Sequence, residues 1–314
     1  MDIQYLLWLQ SIREALPAAV TKLFLIITDA GAGTLSLFVM ALVFWCTDKK
    51  KSRIVIFSYG MGFVFNQILK HIFCIYRPWI RSTQIHPEQS AIPGGYSFPS
   101  GHSQFAASEY GTLAWLYRRK KVLSICCFAL MILVAFSRNF LGYHTPQDVL
   151  VGLAVGIGTT VLVIRFFDWS DQKEGRELMA VAVSVVVILA LLAFEELRPY
   201  PMDYVDGKLL VDPEEMKLGC YSAAASQITL MFGWLIEKKW IHFNSEGKMG
   251  SRVLRFVIGI IGFILFAKLL VVKLVALCVP KVGAMVQLGL ITLYISVLYP
   301  WLVSLWQHVR KSGR

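Results

Sequence analysis

Apolar residues run along this 314-residue chain in blocks, with polar and basic residues gathered between them. Several blocks reach about 20 residues, the length at which a helix rising 1.5 Å per residue crosses a hydrocarbon core of roughly 30 Å. The pattern predicts membrane helices at 18–46, 53–72, 103–117, 122–141, 146–167, 177–195, 217–236, 252–277 and 281–307. Ser222, Ser226 and Gln227 dilute the seventh, and the eighth carries Lys268 and Lys273, which must snorkel outward or face protein. Ahead of the first, residues 1–17 place Ile3, Leu6, Leu7 and Leu9 among Gln4, Gln10, Arg13 and Glu14. That segment is too short and polar to span, and reads as an interfacial amphipathic helix ended near Pro17. The predicted fold class is all-α, a polytopic membrane helical bundle of about nine transmembrane helices.

Composition sharpens this reading. Hydrophobic residues make up 56% of the chain and charged residues 16%. A soluble domain of this length could not hide that much apolar surface, so the surplus faces lipid. The net charge of +11 does not form a face for nucleic acid. It lies in short clusters between apolar runs: Lys49, Lys50, Lys51 and Arg53; Arg118, Arg119, Lys120 and Lys121; Lys238 and Lys239; Arg310, Lys311 and Arg314. Nine spans with the N-terminus outside would put 19 of the 31 lysines and arginines on the cytoplasmic side, the bias that orients membrane proteins. The long connections 73–102 and 196–216 then fall on the outer side. The six cysteines lack metal-ligand spacing and read as small apolar residues. No removable signal peptide and no Asn-x-Ser/Thr site are read from the sequence, and with the compact loops this favours a bacterial plasma membrane.

Three clusters of polar residues then stand out, all placed on the outer side by the charge argument. They are Lys70 to Arg77-Pro78, Pro99-Ser100-Gly101-His102, and Ser137-Arg138 to His144 and Asp148. Lys70, Arg77 and Arg138 offer the donors that bind phosphate oxygens. Ser100 and Gly101 open a helix whose free N–H groups favour an anion. His144 is a candidate nucleophile, with Asp148 four residues on to fix its tautomer, and His102 a candidate general acid for the departing alkoxide and base for water. No carboxylate cluster is available to hold a metal, and no cofactor is called for. Read alone, Asp148 completes a capping box after Thr145-Pro146, Ser100 is an N-cap, and Lys70 and Arg77 are snorkelling residues. Asn66, one turn before Lys70 on the same face, is a candidate for the layer of residues that backs the site. His71 and His86 read as structural or loop residues. Asp29 amid Gly31 and Gly33, and Glu109, are intramembrane ionisable groups of the kind a transporter uses, or equally satisfied helix-packing or end-capping residues.

Together these residues resemble the three-part signature of the type 2 phosphatidic acid phosphatase superfamily: K-x6-R-P, P-S-G-H and S-R-x5-H-x3-D. All eleven fixed identities are present, from Lys70 to Asp148. The resemblance implies a catalytic membrane core over 18–170, with 171–314 as further transmembrane helices of the same membrane domain. It implies phosphate ester or diphosphate hydrolysis through a phosphohistidine on His144. Asp148 would orient the nucleophile, His102 would act as acid, and Lys70, Arg77, Ser100, Gly101 and Arg138 would bind phosphate. The expected substrate is a phosphorylated lipid met at bilayer depth. A sugar phosphate, as in the glucose-6-phosphatase branch with its nine spans, is the alternative, as is a non-catalytic lipid-binding member. The shared signature of soluble vanadium haloperoxidases is set aside by the apolar composition.

Overall fold

The computed structural model describes residues 1–312. Arg314, the last of the basic tail, lies outside the described residues. Helices α1 (Asp2–Ala15), α2 (Ala18–Ala32), α3 (Thr34–Cys46), α4 (Lys49–Phe73) and the single turn α5 (Pro78–Arg81) come first. Helices α6 (Gly101–Ala106) and α7 (Thr112–Leu116) form one helical run, widened into a π turn at Ala107–Gly111. Then come α8 (Lys121–Phe140), α9 (Pro146–Ser170) and α10 (Arg176–Leu197). A hairpin of β1 (Tyr204–Val205) and β2 (Lys208–Leu209) precedes α11 (Pro213–Ile236), α12 (Met249–Phe266), α13 (Val272–Val275), α14 (Pro280–Leu293) and α15 (Tyr299–Ser312).

The chain is a helical integral membrane protein, and the hairpin is a small departure from the all-α expectation. Its cause is local: Asp206 and Gly207 both take positive φ, the two-residue turn that pairs Tyr204 with Leu209 and Val205 with Lys208. Among the described residues, five helical stretches are long and apolar enough to cross a membrane: Lys121–Phe140, Pro146–Ser170, Arg176–Leu197, Met249–Val275 and Pro280–Val309. The count is six if α2 and α3, bent by 45°, make one broken span. The other three expected spans are helical but more polar or shorter. Helix α4 carries four basic residues near its start and Lys70 near its end, the α6–α7 run is broken, and α11 opens with Glu214, Glu215 and Lys217.

The bend between α2 and α3 has a visible cause. The Asp29 carboxylate accepts the Leu35 N–H at 3.1 Å, and its oxygen lies where a Cβ on residue 33 would stand, so Gly33 is required there. Asp29 is thus an internal cap of the kind that satisfies a helix start. Glu109, in the π turn, is fully buried and accepts the Ser36 hydroxyl at 2.5 Å.

The chain divides into two compact units. The first comprises Met1–Leu37, Met61–Leu162 and Arg198–Met216. There, Phe140, Leu141 and Tyr143 form a buried cluster lined by Ile12, Val20, Phe24, Leu25 and Trp79. Burial of each such side chain is worth roughly 1.5–3 kcal/mol where the alternative is water. Arg13 of α1 is itself buried, donating to the Phe140 carbonyl at 3.0 Å and to the His86 carbonyl. Helix α1 is therefore fastened to the turn that carries residue 144. Helix α9 approaches α6 closely at Gly152 and Gly156, where a Cβ would meet the Ser100 and Gln104 carbonyls at 2.6 and 2.4 Å. Two glycines one turn apart let helix backbones touch.

The second unit comprises Phe38–Gly60, Val163–Leu197 and the chain from Lys217 on. Trp45 is fully buried in it, donating to the Ile295 carbonyl at 2.9 Å with the Tyr299 ring 4.5 Å away. Phe57, Phe167 and Trp234 make a second aromatic cluster, edge to face. Lys268 and Lys273 are exposed, as snorkelling requires.

Candidate active site

Each of the three polar clusters comes from the end of a helix in the first unit. Lys70 occupies the last turn of α4, and Cys74, in the left-handed region, ends that helix with its N–H on the Lys70 carbonyl. Arg77 precedes the Pro78 turn. Ser100 caps α6, its oxygen accepting the Ser103 N–H at 3.4 Å. Arg138 ends α8, and His144 follows in the connection to α9. That connection is closed by local bonds. The Tyr143 and His144 N–H groups both reach the Arg138 carbonyl, and the Asn139 amide donates to the His144 carbonyl at 2.8 Å.

His144 is almost wholly buried and both of its ring nitrogens are engaged. Arg77 lies 2.8 Å from Nε2. A guanidinium can only donate, so Nε2 is the unprotonated nitrogen, its lone pair accepting from Arg77, and the ring proton belongs on Nδ1. Nδ1 faces the Asp148 carboxylate at 3.4 Å and the Ser97 hydroxyl at 3.3 Å. Ser97 in turn donates to the same Asp148 oxygen at 2.6 Å, and that oxygen also accepts the Thr145 N–H at 2.9 Å. The tautomer with a nucleophilic Nε2 is the one this arrangement selects. Burial, followed by the charges of Arg77, Arg138 and Lys70, holds the His144 imidazole well below the ordinary histidine range. It is neutral near pH 7, as a nucleophile must be.

Thr145 Oγ1 accepts the Asp148 N–H at 3.3 Å while Asp148 accepts the Thr145 N–H. Asp148 is therefore both the capping residue and the carboxylate beside His144. The two roles do not compete, because a carboxylate offers several acceptor positions.

The cations are held by neutral groups. Lys70 donates to the Tyr96 carbonyl at 2.6 Å and the Ser97 carbonyl at 3.2 Å. Arg77 donates to the carbonyls of Gly94, Gly95 and Tyr143 at 2.8, 3.1 and 3.2 Å. Burial pushes Arg77 down to about 10, with only Asp148 opposing, so it stays charged at neutral pH. Arg138 donates to Thr28 Oγ1 at 2.6 Å and lies 4.6 Å from the Tyr143 ring centre, while its buried Nε has no acceptor among the described residues. His102, in the first turn of α6, feels the charges of Arg138, Arg77 and Lys70. Burial of three cations against one carboxylate leaves a positive recess suited to an anion.

Asn66 bonds to the helix opposite. Its amide donates to Gln104 Oε1 at 2.9 Å and the Pro99 carbonyl at 3.4 Å, and the Gln104 amide donates to the Gly62 carbonyl at 2.6 Å. This pair fastens α4 to the start of α6, so Asn66 positions the Pro99–His102 turn. His71 and His86, which had no partner in the sequence, find them in this unit. Tyr200 and Arg198 meet His71, and Gln10 and Arg13 meet His86. Ser97 is the residue the sequence reading missed. It stands just before the Pro99 cluster and 47 positions from His144, with no periodicity to mark it.

Comparison with known proteins gives the family. A family model described as the PAP2 superfamily matches residues 51–172, and one described as PAP2 superfamily phosphatase, transmembrane extension, matches residues 221–309. The chain belongs to the PAP2 superfamily. Among curated relatives, it is similar to phosphatidylglycerophosphatase B of Bacillus subtilis, 28% identical over 164 residues, or 48% of this chain and 74% of that one. It is 33% identical over 123 residues to the dolichyldiphosphatase of Saccharomyces cerevisiae, covering 36% of this chain and 50% of that protein. Among solved structures, a transmembrane PAP2 type phosphatidylglycerolphosphate phosphatase from Bacillus subtilis aligns with a TM-score of 0.43. The identity is 25%, over 55% of this chain and 87% of the other.

Proposed function

We propose that this protein is a membrane phosphatase that hydrolyses a lipid phosphate or diphosphate through a phosphohistidine on His144. The observation that carries the reading is the hydrogen-bond chain through His144, with Arg77 on Nε2 and Ser97 and Asp148 on the Nδ1 side. In the first step the Nε2 lone pair forms a P–N bond as the P–O ester bond breaks, and the leaving oxygen takes a proton from His102. Water then gives a proton to His102, its oxygen attacks phosphorus, and the P–N bond breaks to release phosphate. Lys70, Arg77, Arg138 and the N–H groups at Ser100–His102 stabilise the charge on the equatorial oxygens. Phosphate must displace part of the carbonyl ring around Arg77, and the free Nε of Arg138 is a donor already available to it.

A lipid substrate is supported by the apolar helices, which bring a phosphate recess to bilayer depth, and by relatives whose names specify lipid phosphates and diphosphates. The basic loops support a nine-span arrangement in a bacterial plasma membrane, with this site on the non-cytoplasmic side. The test is purified protein in detergent, offered phosphatidic acid, phosphatidylglycerophosphate, a polyprenyl diphosphate and glucose 6-phosphate. Turnover of at least one lipid, with the sugar phosphate left intact, is expected. Turnover of the sugar phosphate alone overturns the lipid reading.

A further inference from the structure

The second unit contains a cleft of about 390 Å³, within the range of ligand pockets, that shares no residue with the phosphatase site. Its lining is graded. Ile56, Phe57, Leu230 and Trp234 are buried and form an apolar floor. Lys49, Lys50, Arg53 and Lys238 line the other part, with Lys50 and Lys238 exposed. Glu237 is the one carboxylate in the lining, and it is committed to Lys49 and to the Phe243 N–H.

The remaining cations keep donors to spare. Lys238 spends one proton on Glu177, and Lys50 has no carboxylate within ion-pair reach among the described residues. Arg53 pairs with Asp171 through its two terminal nitrogens and lies 4.3 Å from the Phe167 ring centre. Its buried Nε has no acceptor among the described residues. A buried donor left without an acceptor is unfavourable unless something supplies one. Exposed Trp240, with Lys239 4.9 Å from its ring centre, marks this end of α11 as the sort of surface that meets lipid head groups.

An apolar floor beneath a cationic rim is the complement of one molecule class: an anion attached to a hydrocarbon chain. We propose that this cleft binds an anionic phospholipid from the leaflet that meets the basic loops, phosphate against Lys50, Arg53 and Lys238, one acyl chain over Trp234 and Leu230. The bound lipid is a ligand of the second unit and not the substrate of the His144 site. Free inorganic phosphate offers the same charge without the chain, and the experiment separates the two.

Full-length protein is reconstituted in phosphatidylcholine vesicles containing phosphatidylglycerol, extracted in mild detergent, and the lipid retained per protein is measured by native mass spectrometry. The Lys50→Gln/Lys238→Gln protein is compared with Lys120→Gln/Lys121→Gln, which loses the same charge elsewhere. A lysine near an anionic lipid surface changes affinity by about fivefold. The first variant is expected to retain phosphatidylglycerol roughly 30-fold more weakly and the second to match the parent. Equal loss in both, or equal retention of phosphatidylglycerol and phosphatidylcholine by the parent, overturns the proposal. Displacement of the lipid by millimolar inorganic phosphate overturns the role of the apolar floor. The readout is lipid retention, so it stands or falls independently of the phosphatase reaction.

Discussion

Arg77 and Arg81 lie four residues apart at the two ends of one short helical turn, and they are held in opposite ways. Arg81 is partly exposed and pairs with the Asp2 carboxylate at 2.8 Å. Arg77 is buried and held by three backbone carbonyls and a histidine nitrogen. Lys70 follows Arg77, with two carbonyls as partners. A carboxylate neutralises its cation, while a carbonyl positions it and leaves the charge in place. The buried set therefore acts on whatever enters the recess and keeps protons off His144, whereas Arg81 adds only a local tie between α1 and the chain after α4.

The largest effect that would break this contrast is at the nucleophile. His144→Ala should abolish turnover, and Asp148→Asn should lower kcat by two orders of magnitude or more, measured with the best substrate of the lipid panel. Full activity in His144→Ala would remove the mechanism. Arg138→Ala, which deletes the cation with an unused donor, should lower kcat by about 10²–10³, the range for losing one donor to transition-state charge. Ser97→Ala should reduce kcat about tenfold, because the direct contact from Asp148 to the ring remains when the shared hydroxyl is gone. An unchanged rate would make Ser97 a packing residue.

The next effect is one of pH. Burial, and after it the cations, hold His144 below the histidine reference of about 6.5, so the acid limb of kcat/KM that reports its protonation lies below that value. Arg77→Gln removes a positive neighbour, raises the His144 pKa and should shift the limb to higher pH, alongside its loss of rate. A limb that stays in place would mean that Arg77 does not act on His144. The smallest effect is at the other end of the turn. Arg81→Gln should leave kcat unaltered and change stability by less than about 1 kcal/mol, read as a small shift in thermal unfolding, as for other partly exposed pairs.

Much of this was visible in the sequence because the chemistry is local. The three clusters lie at helix ends, and cap residues such as Ser100 and Thr145 mark those ends by type. Asp148 looked ambiguous between cap and carboxylate because it is both. The parts that stayed hidden act through atoms every residue owns. The carbonyls of Gly94, Gly95, Tyr96 and Ser97 hold two of the cations, and no side-chain pattern announces a carbonyl. Asn66 could be placed on a face of α4 but not given a partner, since its bond crosses to Gln104 on another helix. Asp29 and Glu109 read from the sequence as either transport groups or satisfied packing and capping residues. A missing Cβ at Gly33 and a hydroxyl on Ser36 supply the structural partners. Span counting was hardest where helices turn polar faces to protein, as α4 and α11 do.

The central claim is that Nε2 of His144 takes the phosphoryl group. Protein turning over a ³²P-labelled lipid phosphate is quenched in alkali, which preserves phosphohistidine, then digested and mapped. The account predicts label on His144, at Nε2, and none in His144→Ala. Label on Nδ1, on His102 or on any other side chain, or turnover with the protein never labelled, would contradict it.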